Sequence, residues 1–536
     1  MNWYFYTVFA LCFPYITEEA KILAFFPVPI KSHQIVFQPL LRGLADKGHE
    51  VTYVSSFGMS PPHKNIKDIV IEDIFQQDLK DNQLAADPYL FRYASAFDLA
   101  LFHWKFGTDM QKMILAQPLI QQFIQQKNQK FDVIIAEILF SQEPFVALGD
   151  LFQAPIIDFS SQCGTHYVYD ILFNPGIYSY VSDYRTYYSD RMTLYQRLIN
   201  TLIGLFQVYG SYWYYFQEQE QIMYANFNLT YGAQNKPSLK HLLRNNIVGS
   251  IFNSDPLVGY PKPLLPSSIE VGGISLQPRK PLPKDLQKFM DEAEHGVVYF
   301  SFGSILSSEK MPPVQKQYFI EAFKRLKQRV LWKIENSSDI ELPSNVLTSK
   351  WFPQGDVLAH PKCRLFITHG GYLSLIDTVD AGVPVIVIPF FADQPKNAHI
   401  AETKGFGIHL HFDDLTADLI VETIDKVVTN KSYSVQAKKM SSLFRDRIVS
   451  PVEKAVHLVE YTIRHKGNPL SQTGAKDLWW YQYFLLDVAA IIIAVILFVF
   501  IFLYKVLGFF VRFVIGSSRN SQPRISKQVK NGKKTN

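Results

Sequence analysis

Cysteine is nearly absent from this 536-residue chain, which has only Cys12, Cys163 and Cys363. Three thiols cannot supply a cysteine-based metal site or a disulfide scaffold. Cys12 lies in a leader segment expected to be removed. Cys163 and Cys363 read as free, partly buried thiols, with one disulfide between them as the alternative. An Asp-x-Asp metal motif is also missing from the expected strand ends. Charge is scarce too, at 19% of residues against 48% hydrophobic, which excludes a disordered chain and leaves enough apolar surface for a core. The formal net charge of +5 is misleading, because Lys505 to Asn536 holds eight cations and no acid. Without that tail the chain has 45 basic against 48 acidic residues, so no nucleic-acid partner is expected.

Long apolar runs stand at the two ends. Met1 to Ile16 closes on Thr17-Glu18-Glu19-Ala20 and reads as a signal peptide over residues 1–19, although it lacks a cationic start. A buried first strand is the alternative. Residues 483–504 hold one charge, Asp487, and are long enough to span a bilayer as a transmembrane helix. Trp479, Trp480, Tyr481 and Tyr483 form an aromatic belt before it, and the basic residues of 505–536 follow. The positive-inside rule then places the tail in the cytosol and the body in a lumen. Lys533-Lys534-Thr535-Asn536 resembles the dilysine retrieval signal of endoplasmic reticulum membrane proteins. Sequons at Asn228, Asn336 and Asn430 are compatible with a luminal body.

The body shows two rounds of strand, loop and helix. Lys21–Phe26 reads as a strand, Gln34–Lys47 as a helix ended by Gly48, and Glu50–Val54 as the next strand. Phe131–Ala136 and Pro155–Phe159 are apolar runs suited to buried parallel strands. After a proline-rich crossing from Pro256 to Pro283, the rhythm restarts with strands at Val297–Phe302, Val330–Ile334, Arg364–Thr368 and Val385–Pro389. This alternation predicts an α/β chain of two Rossmann-like domains, residues 20–278 and 279–445, with a membrane-proximal segment over 446–482. Ligands of such sheets bind beyond the carboxyl ends of the strands, so candidate chemistry is sought there.

His369-Gly370-Gly371 ends one expected strand and opens a helix, and Phe302-Gly303-Ser304 follows another. Glycines let backbone amides approach an anion, and a helix N-terminus favours negative charge, so these turns suit a diphosphate. A plain strand–helix corner is the alternative reading of either turn alone. His33 stands at the head of the first helix, where the positive helix end disfavours imidazolium and suits a neutral imidazole able to accept a proton. An imidazole base needs an orienting carboxylate, and Glu137 directly follows the strand ending at Ala136. Taken alone, His33 also reads as a structural or surface histidine and Glu137 as a strand-end surface carboxylate; Glu143 and Asp150 fall later and are the weaker partners. Between Tyr167 and Tyr231 lies an aromatic-rich stretch, including Tyr212-Trp213-Tyr214-Tyr215-Phe216, that suits core and membrane-surface packing, an acceptor pocket, or both.

The stretch Trp351-Phe352-Pro353-Gln354, His369-Gly370-Gly371, Asp377, Gly382-Val383-Pro384 and Asp393-Gln394 resembles the donor-binding signature of the UDP-glycosyltransferases, the family that includes the UDP-glucuronosyltransferases. Ser32-His33-Gln34 near the front, and Ser450–His457 and Asp477–Asp487 near the end, are similar to the same family, so the resemblance covers almost the whole chain. It implies the GT-B architecture, two Rossmann-like domains facing each other, with a C-terminal transmembrane helix. It implies that Trp351 stacks on uracil, Gln354 holds the nucleoside, and Ser304, His369 and Gly371 meet the diphosphate. Asp377 would hold the ribose, where the family usually has glutamate, and Asp393 and Gln394 the sugar hydroxyls. Leu373-Ser374 stands where many vertebrate members have asparagine after Gly-Gly-x, with Ser374 on the donor side.

The resulting expectation is inverting hexose transfer from a UDP-sugar to hydroxyl groups of small lipophilic acceptors, in the lumen of the endoplasmic reticulum. His33 would be the base and Glu137 its partner. No metal or cofactor is expected, the UDP-sugar being a co-substrate. UDP-glucose is favoured over UDP-glucuronate, since Leu373-Ser374 looks invertebrate and no clear cation adjoins Asp393-Gln394. A membrane-lipid glycosyltransferase and a non-catalytic binding subunit are the rival readings. A homo- or hetero-oligomer is compatible with the sequence.

Overall fold

The computed structural model describes residues 19–74, 88–126, 128–229, 231, 236–337 and 340–519. Residues 1–18 of the expected signal peptide and the last 17 residues, with the dilysine motif, lie outside them.

Two fully parallel sheets form the body. The front lobe holds β1 (Lys21–Phe26), β2 (Glu50–Ser55), β3 (Ile66–Val70), β4 (Val133–Ala136), β5 (Ile156–Ser160), β6 (Ile247–Phe252) and β7 (Ser268–Glu270), in the order β3-β2-β1-β4-β5-β6-β7. The rear lobe holds β8 (Val297–Ser301), β9 (Arg329–Lys333), β10 (Val346–Ser349), β11 (Cys363–Thr368), β12 (Val385–Val387) and β13 (Gly407–His409), in the order β10-β9-β8-β11-β12-β13.

The apolar runs read from the sequence explain why these strands are central. Ile22, Ala24 and Phe26 of β1 enter the core on one side of the front sheet, and Leu23 and Phe25 the core on the other. In β8, Val297 and Tyr299 face one core, while Val298 and Phe300 face the opposite one. A strand covered by helices on both faces has no need of polar alternation. Each sheet also reverses direction of growth at one gap. That gap lies between β1 and β4 in the front lobe and between β8 and β11 in the rear lobe. Loops diverge at such a point and leave a crevice at the carboxyl ends.

The chain returns to the front lobe after finishing the rear one. The helix Pro451–Arg464 starts with a capping box between Ser450 and Glu453, and buries Ala455, Val456, Leu458 and Val459 against the front sheet's core. Gly43, on the helix Lys31–Asp46, permits this approach, since a Cβ there would stand 2.8 Å from Val452. Leu373 of the rear lobe packs on the same core, which gives that departure from the vertebrate pattern a role in joining the lobes. Cys163, just after β5, and Cys363, which opens β11, are both free, and no disulfide links them.

Residues from Gln472 onward form a separate compact unit. Its helix runs from Leu486 to Arg519, and Leu486–Ile515 is long and apolar enough to cross a membrane. The helix begins later than residue 483 and continues past Lys505 and Arg512, because a lone cation does not break a helix.

Candidate active site

His33 lies in the first turn of the helix Lys31–Asp46, which the loop 27–30 connects to β1. Glu137 is the first residue past β4, and β1 and β4 are hydrogen-bonded neighbours with Phe25 opposite Ala136. The front-lobe crevice thus holds both side chains. His33 Nδ1 is 2.8 Å from Glu137 Oε2, and both side chains are buried. The other carboxylate oxygen, Oε1, accepts the Ser161 amide at 2.8 Å. Ser161 Oγ stands 3.0 Å from the same Nδ1, and Asn253 Nδ2 donates to the Ser161 carbonyl at 2.9 Å. The ends of β1, β4, β5 and β6 therefore combine to fix one imidazole. An ionised carboxylate only accepts, so these partners assign the proton to Nδ1 and leave a lone pair on Nε2. The Phe140 ring meets the imidazole in an edge contact at 4.9 Å. Such an imidazole can take a proton from a hydroxyl.

The two weaker carboxylates are engaged elsewhere. Glu143 accepts from Tyr167 Oη at 2.9 Å and Tyr215 Oη at 2.7 Å, and burial pushes it up to about 7. Asp150 accepts from Asn246 Nδ2 at 2.8 Å. The stretch from Tyr167 to Tyr231 divides as its mixed composition allows. Tyr167, Tyr169, Tyr215 and Phe216 are buried, while Trp213 and Tyr214 are exposed.

In the rear lobe, β8 leads into Phe302-Gly303-Ser304 and β11 into His369-Gly370-Gly371, at strand ends where Ser301 lies opposite Thr368. Gly371 caps the helix Tyr372–Ala381. The His369 ring fills the space between the two turns. A Cβ on Gly303 would stand 2.6 Å from its Cε1, and one on Gly371 would stand 2.7 Å from its Nε2. Gly303 and Gly370 also have φ of +80° and +84°, which favour glycine. Burial, then the charge of Lys333, pushes His369 down to about 4, so it meets a ligand as a neutral ring. Ser304 is exposed on the turn.

Gln354 opens the helix Gln354–Ala359 and donates through Nε2 to Asp377 Oδ2 at 2.8 Å, with Ser374 Oγ at 3.5 Å. Burial raises Asp377 to about 6. Trp351, three residues earlier, is 60% exposed. Asp393 Oδ2 accepts from the Tyr372 amide at 2.9 Å and from Asn397 Nδ2 at 2.7 Å. Gln394 Oε1 accepts the amides of Phe390 and Phe391 at 2.9 and 3.2 Å. Ala392, before this pair, has φ of +56°, a strained conformation held by its surroundings. Burial raises Asp393 to about 6.

Sequence reasoning did not find Ser161, Asn253 or Asn397. Ser161 follows β5 at the same sheet end as His33 and Glu137, and Asn397 stands one helical turn after Asp393. Both positions carry a usable signal. The expectation of no cation beside Asp393-Gln394 requires correction. Lys396 lies on the helix Gln394–Thr403 and lines the same cavity as Asp393, since residues three apart share a helical face. Asn228, Asn336 and Asn430 are all exposed; Asn430 caps the helix Lys431–Arg445, while Thr230 and Ser338 of the first two sequons lie outside the described residues.

Two facing Rossmann-like lobes with a crevice at each switch point define a GT-B glycosyltransferase. Solved structures share this fold. A kitacinnamycin glycosyltransferase aligns with a TM-score of 0.56 at 16% identity, over 83% of this chain and all of that one (100%). UDP-glucose: anthocyanidin 3-O-glucosyltransferase in complex with UDP aligns with a TM-score of 0.55 at 18% identity, over 84% of this chain and 100% of the other. Residues 21–521 match the family model "UDP-glucoronosyl and UDP-glucosyl transferase", and the chain belongs to this family. UDP-glucosyltransferase 2 of Dactylopius coccus is 35% identical over 476 residues, covering 88% of this chain and 89% of that protein. Mouse UDP-glucuronosyltransferase 1-2 is 35% identical over 384 residues, covering 71% and 70%. The chain is a UDP-sugar-dependent glycosyltransferase.

Proposed function

We propose that the enzyme transfers glucose from UDP-glucose, with inversion, to a hydroxyl group of small lipophilic acceptors. The observation that carries this reading is the His33–Glu137 contact of 2.8 Å facing a rear-lobe seat of glycine turns. His33 Nε2 takes the acceptor proton, and the new oxygen–carbon bond forms at the anomeric carbon as its bond to the diphosphate breaks. Glu137 orients the ring and stabilises the imidazolium that forms. The amides after Gly371, with Ser304 and neutral His369, receive the charge that develops on the leaving diphosphate. Gln354 and Asp377 form one hydrogen-bonded unit for the nucleoside, with Trp351 beneath the base. Asp393 and Gln394 hold the hexose, and Ser374 supports Gln354. This division of labour requires no metal, so EDTA is expected to leave turnover intact.

The glucosyltransferase relative spanning 88% of the chain supports the donor choice. The apolar helix Leu486–Ile515, the basic tail and the exposed sequon asparagines support an active site in the endoplasmic reticulum lumen. The test is a donor screen on microsomes holding the full chain, with UDP-glucose, UDP-glucuronate and other UDP-sugars against a panel of phenols. Glucosides formed by the wild type and lost in His33→Ala are the expected result. Undiminished turnover in His33→Ala, or transfer confined to UDP-glucuronate, contradicts the reading.

A further inference from the structure

An open pocket lies between the loops after β5 and β12. Its walls include Tyr169, Tyr180, Tyr184, Tyr260 and Tyr372, so much of its lining is aromatic. Gln162 and Cys163, directly after Ser161, place it beside His33, and Asp393 forms part of its wall.

Four charged side chains line this space, and three are accounted for. Asp255 is paired with Arg447 at 2.9 Å, and Lys262 with Glu270. Asp393 accepts the two hydrogen bonds described above. Lys396 is different. Its Nζ donates to the Ser182 carbonyl at 2.9 Å and lies 5.7 Å from the Tyr260 ring centroid. Among the described residues no carboxylate forms an ion pair with it. An ammonium has three donors, and partial burial makes an incompletely paired cation costly. A second observation points the same way: Tyr372 has a buried hydroxyl with no hydrogen-bond partner among the described residues. A cation in an aromatic pocket whose wall also holds an unpartnered hydroxyl suits an anionic group such as a carboxylate.

We propose that this cavity is a carboxylate subsite, with Lys396 the specificity-determining cation. The inference rests on the transferase reading above. It assigns the carboxylate to a ligand beside the hexose: an aromatic acid acceptor whose hydroxyl reaches His33, or the C6 carboxylate of a hexuronate donor. With UDP-glucose as donor, the acceptor is the source.

The experiment compares full-length wild type, Lys396→Gln and Lys396→Arg in microsomes. One arm measures kcat/KM for 4-hydroxybenzoate relative to its methyl ester with UDP-glucose. The other measures UDP-glucuronate relative to UDP-glucose on the methyl ester. Loss of a half-buried charge partner predicts that Lys396→Gln lowers one of these ratios by at least about tenfold, with Lys396→Arg restoring most of it. A drop in the first ratio assigns the carboxylate to the acceptor, and a drop in the second assigns it to the donor. Both ratios within about twofold of wild type overturn the proposal and leave Lys396 as a structural tie to Ser182. If the wild type transfers nothing, the transferase reading fails separately. Calorimetry of 4-hydroxybenzoate and UDP-glucuronate on the purified full chain then decides the subsite: Lys396-dependent binding supports it, and binding indifferent to Lys396 rejects it.

Discussion

Lys31 Nζ lies 5.5 Å from the centroid of the Trp351 ring, so the first helix of the front lobe touches the exposed indole of the rear lobe. An indole is a flat platform for a nucleobase, and stacking of this kind contributes roughly 1–3 kcal/mol. Trp351→Ala is expected to raise the KM for UDP-glucose by about 5- to 100-fold, with a smaller change in kcat. An unchanged KM removes Trp351 from the nucleoside site. If ammonium and base compete for one face, Lys31→Met binds UDP about two- to fivefold tighter by calorimetry.

Glu137 touches no substrate in the proposed mechanism, yet it accepts from both His33 and the Ser161 amide. Glu137→Gln preserves the volume and removes the charge. It is expected to lower kcat by about 10² to 10⁴, in the range of general-base losses. Groups acting as a unit are not additive, so Glu137→Gln placed in His33→Ala is expected to cause no further loss. A further loss in the double variant, measured in the same assay, shows that Glu137 does something besides orient His33.

The pair could be read from the chain because each member follows a strand whose apolar run was legible, and a parallel sheet brings neighbouring strand ends together. The glycine turns were legible for the same reason. What lay hidden depends on contacts between distant elements. Ser161 and Asn253 matter only because β5 and β6 continue the sheet beside β4. Lys396 reads as an ordinary helix-surface lysine until the loop carrying Ser182 closes over it. The helix Pro451–Arg464 shows its apolar face in sequence, but nothing local says that the face returns to the front sheet.

Gly303 tests the diphosphate seat independently of the base. Its φ of +80° and its contact with His369 leave no room for a methyl group. Gly303→Ala forces either the turn or the ring to move. Strain of this kind costs on the order of 1–3 kcal/mol. The expected outcome is a lower Tm together with a higher Kd for UDP. Normal UDP affinity in a folded Gly303→Ala protein means that the turn is a corner and not a phosphate contact.

Asp393 sets function against stability. Its usual carboxyl value of 3.8 is raised to about 6 by burial, so the folded protein binds this proton more tightly than the unfolded chain. Stability therefore falls as pH rises from about 4 to about 6 and remains lower above that range. Sugar hydroxyls, however, are best held by the ionised form. The KM for UDP-glucose is expected to climb as pH falls below about 6, while Asp393→Asn loses most of its kcat/KM yet gains Tm over wild type near neutral pH. That gain should vanish below about pH 4, where the wild-type carboxyl is protonated in both states. Asp377 is raised to about 6 as well, so UDP and UDP-glucose must be compared. Weakening of both ligands alike at low pH assigns the effect to the nucleoside side at Asp377. Weakening confined to UDP-glucose assigns it to Asp393, and a flat profile for both, measured by calorimetry, rejects a role for either carboxylate in binding.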